Sequence, residues 1–213
     1  MIPEDIKALT GVRLFAALWV VLYHFRDGLK PIAIVEPFMP LINDGYLAVP
    51  MFFILSGFIL SHTYFPHYSL KSHPKFVYRR LARLWPVHMA SLIALMMYIG
   101  VMVVHSGHFE DDGHTFAMAH VPGELVMVRS WFSKDLVWNY PAWSIHAEWF
   151  AYLFLFPVAC LLFRTIQKRW ILLLIASALL AEHTFLPIAQ LPGMCAEVLF
   201  LFLTGSALYR LRI

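Results

Sequence analysis

Apolar residues in this chain gather in long unbroken runs, not on the alternating or one-sided faces of soluble strands and helices. Six runs stand out, at about 9–25, 46–65, 85–104, 143–163, 170–187 and 194–209. Each approaches the roughly 20 residues a helix needs to cross a hydrocarbon core about 30 Å thick. Breakers fall between the runs. Pro31, Pro37 and Pro40 occupy the first connection, Pro66 and Pro74 the second, and Gly107, Gly113, Pro122, Gly123 and Pro141 the third. The pattern predicts an all-α fold, a polytopic transmembrane helical bundle of about six spans, in a single domain over 1–213. Residues 116–133 are moderately apolar but contain Pro122, Glu124 and Arg129. They are read as interfacial or re-entrant, not spanning.

Composition supports a membrane as the solvent. The 213 residues are 61% hydrophobic and 14% charged, against about a quarter charged in a soluble domain. A net charge of +3, with no basic face interleaved with aromatics, gives no reason to expect nucleic acid. Cys160 and Cys195 lie in apolar runs and read as small buried residues, not a disulfide or metal pair. Lys7 and Arg13 precede the first run, and Arg26, Asp27 and Gly28 follow it without a small-residue cleavage site. That run is an uncleaved helix, not a signal peptide. With the N-terminus inside, twelve of the sixteen Lys and Arg residues fall on the inner side, and Arg26, Lys30, Arg129 and Lys134 on the outer. The positive-inside bias therefore predicts a cytoplasmic N-terminus.

Ionisable groups within apolar runs are costly there and become candidates for function. Arg13 and His24 are eleven residues apart, which returns a helix to nearly the same face after a rise of about 16 Å. The histidine suits a general base, although the pair also reads as an interfacial anchor and a helix-end residue. Arg80 and Arg83, three apart, project one way from a helix. Their guanidinium forks suit phosphate oxygens, or an inner-surface anchor. Ser144, Glu148 and Tyr152 share a helix face behind Trp143. Glu148, one turn into the outer end of its run, either pairs with His24 or is a structural acid. Ser56-Gly57 marks close helix packing. His105, His108, Glu110, Asp111, Asp112, His114 and His120 crowd the third connection, but their spacing matches no metal motif, so no metal is expected. Glu182-His183 and Glu197 read as an outer-loop pair and a packed polar residue.

Four segments in order resemble the membrane-bound acyltransferase-3 family. LTGVRLFAALWVVLYHF, with Arg13-x10-His24, is similar to its first signature. GYLAVPMFFILSGFIL resembles the second-helix signature. Arg80-x2-Arg83-Leu84-x-Pro86 matches the RxxR-x-x-Pro segment, and PAWSIHAEWFAYLFLFP resembles the Trp-Ser-x-x-x-Glu segment. Pro50 stands where the family often has Asp, and His146 where it often has Ser. The resemblance implies transfer of an acyl group, often acetyl, from acyl-coenzyme A to a hydroxyl of a carbohydrate, glycolipid or other envelope acceptor. No permanently bound cofactor is implied. It casts His24, Glu148 and Arg13 as catalytic, and Arg80 and Arg83 as the acyl-coenzyme A contacts at the inner face. Trp143, Ser144 and Tyr152 become candidates for the substrate pocket. It also implies residence in the bacterial inner membrane and more spans than these six, so the domain is expected to be incomplete at its C-terminus. A transporter or export subunit with charges lining a pathway is the alternative. Discontinuous, paired helix breaks would favour it.

Overall fold

The structure is a computed structural model that describes residues 6–107, 113–135, 137–166 and 195–212. Among them every regular element is helical. The helices are α1 (Lys7–His24), α2 (Arg26–Leu29), α3 (Met39–Asn43), α4 (Ala48–Tyr64), α5 (His73–Ser106), α6 (Val121–Leu125), α7 (Arg129–Phe132), α8 (Trp143–Phe150), α9 (Phe156–Thr165) and α10 (Cys195–Arg212). A π-helical turn, Ala151–Leu155, joins α8 to α9 without a break.

Three helical stretches among the described residues are long and apolar enough to cross a membrane: Glu36–His67, Leu70–Ser106 and Tyr140–Phe163. They cover the second, third and fourth predicted spans. The first prediction is a helix, α1, but Lys7, Arg13 and His24 dilute its apolar character and it is not among the three. The last corresponds to α10, whose apolar part, Val198–Leu211, is shorter than a span. The fifth prediction, 170–187, lies outside the described residues, as do His108, Glu110, Asp111, Asp112 and Glu182-His183. Residues 116–133 do not form a spanning helix. Their α-helices, α6 and α7, have five and four residues, and five residues rise only about 8 Å.

The described chain divides into two compact units. One comprises residues 6–67, 159–166 and 200–212, the other residues 68–107, 113–135, 137–158 and 195–199. In the first, α1 lies against α4 and the turn before it. The Trp19 indole donates to the Leu41 carbonyl at 2.6 Å, and Gly45 sits where a Cβ would fall 2.6 Å from the Trp19 carbonyl oxygen. The predicted packing at Ser56-Gly57 is present, and its partner is α10. A Cβ on Gly57 would overlap the Phe202 carbonyl, and one on Gly205 the Ile54 carbonyl. Two glycines thus let two backbones meet, as small residues do between membrane helices. Ser206 Oγ donates across this contact to the Gly57 carbonyl at 3.3 Å.

In the second unit, α5 runs for 34 residues. Ser69 and Ser72 form a capping box just before it, Pro74 occupies its first turn, and Gly107 stops it in the left-handed conformation at φ 74°. Phe76 stacks on Phe156 at 4.7 Å, with Tyr68 edge-on to Phe156 at 5.0 Å. These rings pin α5 to the start of α9. Leu92 anchors a smaller core with Val137 and Trp138.

Candidate functional site

Helix α5 and the α8–α9 run are antiparallel, because Phe76 meets Phe156, Arg80 meets Tyr152 and His88 meets His146. That register brings together residues 58 to 80 positions apart in sequence. The Arg80 guanidinium lies 5.5 Å above the Tyr152 ring and the same distance above Phe76. The Tyr152 hydroxyl donates to Glu148 Oε1 one helical turn back. Tyr152 is 3% exposed, so the carboxylate's donor is fixed in packed surroundings, beside a cation held over aromatic faces. The contact between Glu148 and Tyr152 is the one their four-residue spacing predicts.

The depth assigned to these groups needs correction. The sequence put Arg80 at the inner mouth and Glu148 near the outer surface, yet they share Tyr152. The hydropathy runs begin at Trp85 and Trp143, whereas α5 begins at His73. Arg80 is therefore seven residues inside a helix. The faces of Phe76 and Tyr152 hold its charge there.

The other predicted residues are placed as follows. Arg83 is exposed and Arg80 half-buried, although both lie on α5. Ser144 is half-buried and its Oγ donates to the Pro141 carbonyl at 3.1 Å, as a helix-start residue. Trp143, half-buried, begins α8. Arg13 is half-buried on α1, and His24 is exposed at its last residue, its ring edge-on to Tyr23 at 5.5 Å. His24 and Arg13 belong to the first unit, and Glu148, Tyr152, Arg80 and Arg83 to the second.

Sequence reasoning missed a second polar cluster. His88 of α5, Glu124 of α6 and His146 of α8 are 0%, 2% and 1% exposed. Glu124 reaches them because α6 ends in a reversal. The Met127 amide donates to the Glu124 carbonyl at 3.0 Å and the Val128 amide to Gly123 at 2.9 Å, around a left-handed Met127 at φ 56°. This is the six-to-one, five-to-two hydrogen-bond pair usually closed by glycine. A methionine there costs on the order of 1 kcal/mol in backbone strain, which its complete burial offsets. The only available signals were Glu124, in a segment read as interfacial or re-entrant, and His146, where the family often has Ser. His88 looked like one more residue of an apolar run. Beside this cluster lies an apolar cavity of about 680 Å³, lined by Tyr78, Trp85, Met127, Trp131 and Trp149 among others. The Trp85 and Trp131 indoles turn their N–H groups to the Leu125 and His146 carbonyls, at 3.1 and 2.8 Å, leaving ring carbon for the cavity.

Residues 6–213 match the family described as an acyltransferase domain. The chain belongs to the acyltransferase-3 family. It is 30% identical over 173 residues to "Acyltransferase MdmB" of Streptomyces mycarofaciens, covering 77% of this chain and 41% of that protein. To "Protein 2 in picA locus" of Rhizobium radiobacter it is 32% identical over 160 residues, 68% of this chain and 78% of that one. To "Putative O-acetyltransferase SACOL0978" of Staphylococcus aureus (strain COL) it is 26% identical over 183 residues, 78% of this chain and 26% of that one. The chain thus spans less than half the length of the first and third of these relatives. No solved structure matches. Within the acyltransferase-3 frame, the Arg80-containing segment and the Glu148-containing segment are parts of one locus, joined through Tyr152.

Proposed function

We propose that the protein, at full length, is a membrane O-acyltransferase that moves an acyl group, acetyl in the simplest case, from acyl-coenzyme A to a hydroxyl of a carbohydrate or other envelope acceptor. One observation carries the reading beyond family membership: Arg80 and Glu148, from two family-like segments, converge on Tyr152. A cation suited to phosphate oxygens and an acid fit for proton or orientation work thus share one place. Their segments have a common task.

In this reading Arg83 and Arg80 hold the phosphates of the donor, and Arg80 links that grip to the Tyr152–Glu148 pair. His24, with Arg13 as its motif partner, removes the proton from the acceptor hydroxyl. The oxygen attacks the thioester carbonyl, a C–O bond forms, the C–S bond breaks, and the thiolate leaves and takes up the proton. Glu148, held by the Tyr152 hydroxyl, is the acid of the site. Trp143 and Ser144 line the acceptor side. The chain lies in a bacterial inner membrane with its N-terminus cytoplasmic, so that the donor is drawn from the compartment where acyl-coenzyme A is made.

The test is transfer of labelled acetyl from acetyl-coenzyme A by the full-length protein in proteoliposomes, with envelope glycan as acceptor. Wild type is expected to label the glycan and His24→Ala to lose labelling by a factor of about 10² or more. Undiminished labelling by folded His24→Ala removes the histidine from the mechanism. Glycan flux without acyl transfer favours a transporter instead.

A further inference from the structure

The buried trio His88, Glu124 and His146 has the donor geometry of a metal site. One ligand-type atom from each residue lies within 4.8 Å of those from the other two. His146 Nε2 and Glu124 Oε2 stand 3.4 Å apart. That exceeds an ordinary N–H···O hydrogen bond of about 2.7–3.2 Å. It matches the separation of about 3.3 Å between two ligands held some 2 Å from one ion at a tetrahedral angle.

The remaining ring nitrogens are already engaged. His88 Nε2 lies 2.8 Å from the Glu124 carbonyl oxygen, which can only accept, so Nε2 carries the proton and donates. His146 Nδ1 lies 3.1 Å from Ser130 Oγ and 3.4 Å from the Ser130 amide. The amide donates to Nδ1 in this structure, so ligation through Nε2 moves the ring proton to Nδ1, where the nearer hydroxyl accepts it. A lone pair then stands on His146 Nε2, as it already does on His88 Nδ1. Both atoms are buried without a hydrogen-bond partner, and so is Glu124 Oε2. An imidazole that hands its far N–H to a carbonyl or hydroxyl and presents its other nitrogen bare is oriented as a metal ligand.

We propose that His88 Nδ1, His146 Nε2 and Glu124 Oε2 bind a zinc ion. Two imidazoles and one carboxylate, without thiolate, suit zinc better than magnesium or calcium, which prefer all-oxygen shells. Three protein ligands leave a fourth position for water or a substrate group. The ion ties α6 to α5 and α8, three elements otherwise joined there by side-chain packing and single hydrogen bonds. None of its ligands is assigned to acyl transfer, so the site stands whether or not that assignment does. It also departs from the sequence reading, which expected no metal.

The experiment uses the full-length protein in detergent, stripped with chelator, reloaded with Zn²⁺ alone, desalted and assayed for metal. Wild type is expected to retain about one zinc per chain, with His88→Gln, His146→Gln and Glu124→Gln each retaining about a tenth or less. Gel filtration and circular dichroism check that the variants are folded. If they are not, zinc K-edge absorption on wild type decides. It should show only N/O ligands at about 2.0–2.1 Å, with imidazole scattering. A wild-type protein that keeps no zinc overturns the proposal and leaves a direct His146–Glu124 ion pair. Folded variants with wild-type zinc content, or a first shell without imidazole, overturn it equally.

Discussion

At the scale of single residues, the decisive contact is the Tyr152 hydroxyl on Glu148. Tyr152→Phe removes only that oxygen. In the proposed mechanism Tyr152 positions Glu148 and does not grip the donor. Steady-state kinetics should therefore show kcat falling by about 10-fold or more while KM for acetyl-coenzyme A holds. Arg83→Gln should do the reverse, raising KM about 10-fold with kcat little changed, because an exposed phosphate contact is uniform binding. The same split in both variants, or none, contradicts the division of roles. Outside the spanning segments, the carboxyls of Asp27 and Asp135 titrate below the ordinary aspartate value. The Lys30 hydrogen bond lowers the first, and hydrogen bonds from Ser133 and then Arg129 the second. A depressed carboxyl stabilises the fold above its unfolded pKa and loses that contribution as pH falls through its folded value. Both groups are fully exposed, so Asp135→Asn should leave the acid-unfolding midpoint nearly unmoved in a pH titration followed by circular dichroism. Glu148–Tyr152 was legible from four-residue spacing. Arg80 on Tyr152 was not, because no local pattern reports the register between two helices.

At the scale of elements, the contact between α4 and α10 rests on Gly57 and Gly205. Gly57→Leu should force the backbones apart and destabilise by about 3 kcal/mol or more, since overpacking alone costs 1–3 kcal/mol and here the clash is with backbone. Thermal unfolding in detergent measures this, with Gly100→Ala as control. Gly100 has open space around its Cβ position, so alanine there should be neutral or slightly stabilising. Gly57 was visible as half of a packing site, but its partner in α10 lies 148 residues on and shares no periodicity with it. Likewise, Pro122 and Glu124 announced that 116–133 was broken, whereas the reversal at Met127 carried no glycine to betray it.

At the scale of the whole molecule, the exposed apolar faces are the clearest mark of a membrane protein. Only 11% of the most apolar window of α5 is buried, and Met97, Val101 and Val104 are 66%, 65% and 87% exposed. Water would not leave such a stripe bare on a stable soluble helix, whereas lipid accepts it and the helix satisfies its own backbone. The charge bias predicts an orientation, which this surface does not fix. Single cysteines at Lys71 and at Gly113, in a version lacking Cys160 and Cys195, should react with a membrane-impermeant maleimide from opposite sides. The Lys71 site should label only in inverted vesicles and the Gly113 site only in right-side-out ones. Labelling of both from one side refutes the topology.

Sequence alone determined the solvent, the helical class, the order of the family-like segments and the identity of the charged residues within them. Those properties follow from composition, run length and spacing within one helix, which are local. Tertiary structure decided which helices meet, at what register and around which buried atoms. It laid Arg80 over Tyr152, the partner of Glu148, gave Gly57 its partner and gathered His88, Glu124 and His146 from three elements. Each depends on contacts between residues far apart in the chain, and an apolar run that satisfies its own backbone says nothing about the neighbour against which it lies.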